Sequence, residues 1–329
     1  MVQIKKKIAL LHRYPKDRIR ETNAAFPYLE AKGFDILTFK NFNRQKHKLI
    51  HSILWVFYAP TLVYKKNYDV IYCDDSFPFY PILVKLASPK SKLVIRIGDF
   101  HLMYYFSGWK YKFLHFFEKI GWRLADTLLS ISHAMKDQLS YEGFDSTVVP
   151  DPVEPANFMP DYSRNNADNI VMFHGLINKN KNVDLIIKVA HKMPTVWFWV
   201  VGDGPDLERL RSIAPKNVVF SGWCDHSKIG EMINKCSIGL ALRSENEGNQ
   251  YVITSAFLQY AAAGKPCLVT RRKVFGNYKW QFFSEYEMIA KIKLLLISPN
   301  EGKKIRKKVL NIHNAKKVAS KICKILLSQ

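Results

Sequence analysis

The sequence predicts an α/β chain built as two doubly wound parallel-sheet domains. Three observations carry this. Short apolar runs alternate with helix-patterned segments from Ile8 to Val149. The alternation stops at Pro150-Asp-Pro-Val-Glu-Pro155, where three prolines in six residues resist both helix and sheet ladder. From Ile170 it starts again. Apolar runs this short, with helices between them, read as strands buried on both faces of a parallel sheet. A length of 329 residues accommodates two such units. The expected division is a first domain over 1–155, a linker over 156–169, a second domain over 170–310 and a basic helical tail over 311–329. Packing of that tail back on the first domain is one option. Two such domains facing across a cleft would take a ligand at the carboxyl ends of their strands.

In chain order, Lys7–His12 reads as a buried strand and Thr22–Lys32 as a helix ended by Gly33. Strands follow at Phe34–Phe39, Asp69–Cys73 and Lys92–Ile97, then an aromatic-rich helix at Trp109–Leu124. Thr127–Ser132 is a strand, and Ser132 is placed to cap the next helix. Ser146–Val149 closes the first series. The second series has strands at Ile170–Phe173, Val196–Val201, Val218–Phe220, Ser237–Leu242 and Pro266–Thr270. Helices at Val183–Lys192, Leu207–Ile213, Ser227–Asn234 and Ser255–Ala263 alternate with them, and a basic helical tail runs from Glu287.

Composition narrows the partners. A hydrophobic share of 48% is that of a folded soluble protein. The net charge of +22 attracts polyanions: nucleic acid, anionic lipid or a phosphorylated substrate. No helix-turn-helix, zinc-finger or RNP-like pattern accompanies the basic residues, so nucleic acid is not the expected partner. Cys73, Cys224, Cys236, Cys267 and Cys323 form no Cys-x-x-Cys pair, which fits thiols of a reducing cytoplasm better than disulfides or a zinc site. The early apolar run Ile8–Leu11 is too short for a signal peptide. Leu49–Tyr64, flanked by Arg44, Lys46, Lys48, Lys65 and Lys66, reads equally as a core helix and as a helix lying in an anionic membrane interface. The expected location is therefore cytoplasmic, with a peripheral seat on the inner membrane face as an option.

Gly202-Asp-Gly-Pro205 follows a strand and precedes a helix, where glycines permit a tight turn and helix amides favour phosphate. A plain strand–turn–helix connection needs the same glycines. Position 207 is Leu, so the Gly-x-Gly-x-x-Gly fingerprint is absent. Gly175 with Lys179 and Lys181 also follows a strand, and a lysine there can reach a diphosphate as a point charge. Asp74 and Asp75 suggest a metal pair, but neighbours on an extended chain point opposite ways.

In order and spacing, Phe173–Lys181, Val200–Pro205, Val219–Trp223 and Leu258–Pro266 resemble the nucleotide-sugar half of the retaining group 1 (family 4) glycosyltransferases, whose GT-B fold pairs two Rossmann-like domains. Ala125–Ser132 and Val148–Val153 resemble that family more loosely. The resemblance implies transfer of a sugar from a nucleotide-diphosphate sugar to an acceptor hydroxyl, and the aromatic and basic character of the first domain suggests an acceptor that is lipid-linked, membrane-proximal or a surface glycan. The resemblance implies no cofactor and no metal. The family's Gly-Arg pair and following Lys, which hold the donor diphosphate, match Gly175 and Lys181, with Leu176 at the Arg position. Gly202, Asp203 and Gly204 match its second donor motif. Of its two glutamates with seven residues between them, the second is Gln259, whose amide can still bond ribose hydroxyls, and the position of the first is Tyr251. Glu245 and Glu247 lie just upstream; Glu247, followed by Gly248 as in the family, is the favoured acid at the sugar and Glu245 a donor-side residue. Asp99 and His101 occupy the loop where the family often carries a histidine near the reacting hydroxyls. Asn182, Arg243 and Asn249 are weaker donor-loop candidates. Three other readings share some of these features: a catalytically silent homologue, a sugar-nucleotide epimerase and a nucleic-acid-binding protein.

Overall fold

The computed structural model describes residues 6–14, 23–39, 48–100, 102–162, 169–298 and 300–329. Its contacts divide the chain into two compact units. One comprises Met1–Pro152, Gln250–Val252 and Ala315–Gln329; the other comprises Val153–Asn249 and Ile253–Asn314.

The first unit runs β1 (Ile8–His12), α1 (Phe26–Glu30), β2 (Asp35–Thr38), α2 (Lys48–Val63), β3 (Val70–Cys73) and α3 (Tyr80–Ala87). It continues with β4 (Lys92–Ile97), α4 (Leu102–Tyr105), α5 (Gly108–Arg123), β5 (Thr127–Ser130), α6 (His133–Tyr141) and β6 (Thr147–Val148). All strand pairs are parallel, in the order β2-β1-β3-β4-β5-β6. Both faces are covered, so successive residues of one strand feed two cores. Ala9 and Leu11 pack with Trp55 and Trp122, whereas Ile8 and Leu10 pack with Phe26 and Leu29. Ser132 caps α6, its hydroxyl accepting from Met135 N at 3.1 Å. The sequence pattern did not show α3, because Pro78 and Pro81 interrupt it; Pro81 stands in the helix's first turn, where the missing N–H costs nothing.

The second unit runs β7 (Ile170–His174), α7 (Asp184–Lys192), β8 (Trp197–Val201), α8 (Leu207–Ile213), β9 (Val218–Gly222), α9 (His226–Lys235) and β10 (Ile238–Ala241). It ends with α10 (Ser255–Ala262), β11 (Cys267–Thr270), β12 (Gln281–Phe282), α11 (Glu285–Leu296) and α12 (Glu301–His313). Its parallel sheet has the order β12-β11-β10-β7-β8-β9. Every residue of α10 from Ala256 to Ala262 is buried, and Thr254 caps the helix by accepting from Phe257 N at 3.3 Å.

The unit boundaries differ from those the prolines suggest. The second unit begins at Val153, because Val153 N donates to His313 O at 2.7 Å and the helical turn Pro155–Phe158 buries Phe158 in the second core. Much of the segment expected as a linker is thus part of that unit, although 163–168 lie outside the described residues. The basic tail is three helices rather than one. The last, α13 (Ala315–Ser328), places Val318, Ile322 and Leu326 in the core that holds Leu10 and Phe26 of the first unit.

Candidate functional site

In the second sheet the connections from β7 and β10 leave in opposite directions: β8 lies beyond β7 and β11 beyond β10. Such a switch point opens a crevice at the carboxyl ends of the two strands. The loops that border it are 174–183 and 242–249. They are tied together by polar side chains. Ser244 N donates to Asn180 O at 2.8 Å, and Asn180 Oδ1 accepts from Ser244 Oγ and Asn249 Nδ2, each at 2.9 Å. Asn249 Nδ2 also donates to Ser244 O at 3.0 Å, and the residue is 1% exposed. Asn246 closes the turn, its side chain accepting from Gly248 N at 2.9 Å.

The loop after β8 lies directly on the loop after β7. Gly175 N donates to Val201 O and Ile177 N to Asp203 O, both at 2.9 Å. A Cβ on Gly202 would overlap the Gly175 carbonyl, and one on Gly204 would overlap that of Ile177. Asp203 turns inward on its own loop, Oδ1 accepting from Gly204 N at 2.7 Å. The two glycines of this Gly-Asp-Gly loop are therefore required by the backbone contact whether or not a ligand binds.

Cationic and unpartnered polar groups line the same two loops. His174 ends β7 with its Nε2 buried and unpaired among the described residues, and its ring is 4.9 Å from that of Tyr260. Burial, helped by the positive charge of Lys181 and by His226, pushes its pKa down to about 3. It is thus a neutral ring at pH 7 that offers one N–H and one lone pair. Arg243 lies two residues past the end of β10, with its backbone N on Thr270 Oγ1 at 3.2 Å and its Nε buried without an acceptor among the described residues. Asn178 Oδ1 is likewise buried without a donor. Gln259 on α10 is 7% exposed, and its amide makes no hydrogen bond among the described residues. Together these loops offer an anion two cations and a set of neutral polar groups.

The candidate residues fall in different places. Gly175, Lys181, Gly202, Asp203, Gly204 and Gln259 all belong to the second unit, on the switch-point loops, the loop packed on them and α10. Glu245 and Glu247 are exposed, Glu247 opening a short helical turn that runs to Tyr251. Tyr251, at the position of the first family glutamate, is buried and belongs to the first unit. Its hydroxyl donates to Gln138 Oε1 at 3.0 Å and its carbonyl accepts from Ser132 Oγ at 2.8 Å. Asp99 is half-buried after β4 in the first unit, and His101 lies outside the described residues.

The first unit holds a second polar cluster at its own switch point, between β1 and β3. Asp74 accepts from His12 Nδ1 at 2.8 Å and from Arg96 Nη1 at 3.0 Å, and Arg96 also binds Asp151. Burial alone would raise the Asp74 carboxyl, but Arg96 and His12 outweigh it and hold the group below the usual carboxylate range. Asp75 points elsewhere and pairs with Arg13 at 3.1 Å, which in turn donates to Ser52 Oγ at 2.7 Å. The two neighbouring aspartates therefore serve separate ion pairs. Among the described residues no group of three His, Cys, Asp or Glu side chains could hold a metal. Nothing local in the sequence marks His12, Arg96 or Asp151, since Arg96 and Asp151 are 55 residues apart.

Comparison with known proteins fits this layout. Residues 156–311 match the family model of glycosyl transferases group 1. No curated sequence matches the chain. Among solved structures, the chain superposes on sucrose-phosphate synthase from Thermosynechococcus elongatus with a TM-score of 0.77, at 13% identity over 98% of each chain. Anabaena HepE in complex with UDP-glucose gives 0.73 at 14% identity, over 98% of this chain and 100% of that one. The lipopolysaccharide outer core galactosyltransferase WaaB gives 0.68 at 13% identity, over 98% and 99%. At such identities these likenesses establish the shared GT-B fold, and the family match adds the activity class. Residues 156–311 thus match the group 1 glycosyl transferase family model, and the chain is a glycosyltransferase with the GT-B fold.

Proposed function

We propose that this chain transfers a sugar, with retention, from a UDP-sugar to a hydroxyl of a glycan or lipid-linked acceptor. The observation that carries the donor site is that the two switch-point loops of the second sheet, one bearing Lys181 and the other Arg243, are hydrogen-bonded to each other through Asn180 and Ser244. UDP as the carrier is supported by the UDP-glucose bound to Anabaena HepE.

In this reading Lys181 and Arg243 neutralise the diphosphate, and the amide of Gln259 bonds the ribose hydroxyls. Arg243 takes over the charge that Leu176 no longer supplies. The bond from the anomeric carbon to the β-phosphate oxygen breaks as the acceptor oxygen attacks from the same face. The acceptor's proton passes to the departing phosphate oxygen. The cations stabilise the charge that develops there. No protein nucleophile or base enters these steps, which suits a site with Gln259 and Tyr251 at the two glutamate positions. Glu247 is proposed to contact the sugar hydroxyls, with Glu245 beside it on the donor side and Asp99 and His101 on the acceptor side.

Titration with UDP and UDP-glucose tests the donor site. Saturation at a hundred times Kd stabilises the native state by about 2.7 kcal/mol, which raises Tm by roughly 5–11 °C for a unit of this size. Lys181→Ala should weaken UDP binding by about 10–100-fold, the value of a hydrogen bond to a charged group. If neither UDP, UDP-glucose nor any other nucleotide sugar shifts the wild-type transition, the donor-site reading is wrong. Binding without transfer to any hydroxyl acceptor would refute the transferase mechanism.

A further inference from the structure

The helix α2 is apolar on two faces. Trp55, Val56, Ala59 and Val63 are buried in the core of the first unit. Ile50, Ile53, Leu54 and Phe57 recur at helical spacing on the other side and are between 42% and 65% exposed, and Tyr64 continues the row at 56%. Helix α5 carries a matching row: Trp109 at 72% exposed, then Phe113 and Phe116, each more than half exposed. Helix α3 packs against both α2 and α5 and exposes Leu86. These side chains are held in place: Phe113 and Phe116 pack on Phe117, which lies 4.5 Å from Phe79 at the start of α3. Single exposed apolar residues are ordinary, but rows of them on neighbouring helices mark an interaction surface.

The charge around this surface has one sign. From Lys48 to Asn67 there is no acidic residue, and the segment ends on exposed Lys65 and Lys66. Helix α5 exposes Lys110 and Lys112 beside its aromatics, while its one acid, Glu118, is buried against His115. Lys65 lies 5.2 Å from the Tyr64 ring and Lys110 5.9 Å from that of Trp109. Rings and aliphatic side chains with lysines at their rim suit the boundary between acyl chains and anionic headgroups. No described helix is long and apolar enough to cross a membrane, so such binding would be peripheral. A second copy would bring the same lysines and the same +22 charge against the patch, which opposes pairing.

We infer that the exposed faces of α2 and α5 form a docking surface for an anionic lipid bilayer. Ile53, Phe57, Trp109 and Phe113 enter the acyl boundary, and Lys65, Lys66, Lys110 and Lys112 meet the phosphates. This binding requires no donor, so it is measured without nucleotide and its failure leaves the proposed transfer reaction untouched.

Co-sedimentation with vesicles of equal parts phosphatidylglycerol and phosphatidylcholine, and with phosphatidylcholine alone, tests this. The wild type should bind the anionic vesicles and be released by high salt. A variant carrying Ile53→Ser, Phe57→Ser, Trp109→Ser and Phe113→Ser should bind at least about tenfold more weakly, and one carrying Lys65→Glu, Lys66→Glu, Lys110→Glu and Lys112→Glu at least several hundredfold, at about 1 kcal/mol per lysine lost. Tyr286→Ser with Ile297→Ser, exposed residues of the second unit, should bind as the wild type does. Brominated lipid should quench wild-type tryptophan fluorescence and quench Trp109→Phe much less, a readout that does not depend on the multiple variant folding. Undiminished binding of the apolar variant, an equal loss in the second-unit control, or equal quenching in Trp109→Phe would overturn the proposal. So would failure of the wild type to bind, with a dimer in solution that the apolar variant abolishes.

Discussion

Gly202→Ala separates the two roles that a Gly-Asp-Gly loop can have. The residue sits at φ +140°, and an added Cβ would overlap the carbonyl of Gly175. Holding alanine in that conformation costs about 1–3 kcal/mol. Relieving the overlap moves the β8 loop off the β7 loop. This sacrifices the bonds Gly175 N to Val201 O and Ile177 N to Asp203 O, at about 1 kcal/mol each. The total is roughly 3–5 kcal/mol, a fall of about 6–20 °C in the transition of the second unit. Gly222→Ala is the matched control. Its φ is +70° and nothing lies within 4 Å of the added methyl, so only the conformational strain of about 1–3 kcal/mol remains. Calorimetry without ligand should therefore rank the two, with Gly202→Ala clearly the less stable. An equal cost for both would show that the backbone contact is not what requires glycine at position 202.

Three further outcomes are expected. Arg243→Gln should weaken UDP binding about tenfold, and Leu176→Arg in the same chain should restore much of it; calorimetric titration decides, and no loss in Arg243→Gln would remove Arg243 from the donor site. Asp74→Ala should destabilise the first unit by about 3–5 kcal/mol by leaving Arg96 buried with one partner fewer, and an unchanged denaturation midpoint would contradict this. His115 is hydrogen-bonded to Glu118 and Glu142 at 2.9 and 2.8 Å; burial works against its charge, but the two carboxylates win and raise its pKa from 6.5 to about 9. Its stabilisation, roughly 1–2 kcal/mol after allowance for partial exposure, is complete below about pH 6.5 and lost as the pH rises through about 9. Urea unfolding of the wild type and His115→Gln should then differ at pH 6 and converge near pH 10.

Legibility in the sequence followed the range of the interactions. Strands such as β3 and β10 are wholly buried, so they stand out as unbroken apolar runs that parallel packing explains. The two-residue β12 gives no such run and went unseen. Leu49–Tyr64 could not be assigned to core or interface from its pattern, because the helix is apolar on both sides and only burial distinguishes Trp55 from Phe57. Within the site, Lys181 and the glycines were visible because their motifs are local. Asn180 was not, since its partners Ser244 and Asn249 are 64 and 69 residues away.

Local chemistry in the chain was thus enough to specify two parallel α/β units, the glycine loops and the basic Lys181 that follows β7. Strand order was not contained in that pattern. It is set by which buried faces pair, and it alone brings the loops after β7 and β10 together at the switch point. The same long-range packing put a buried tyrosine at position 251, where a catalytic carboxylate was sought, and drew α13 into the core of the first unit. Burial and hydrogen-bond partners depend on residues far apart in the chain, so the bonds of Asn249 to Asn180 and Ser244 and the ion pairs of Asp74 became readable only once the fold had assembled their surroundings.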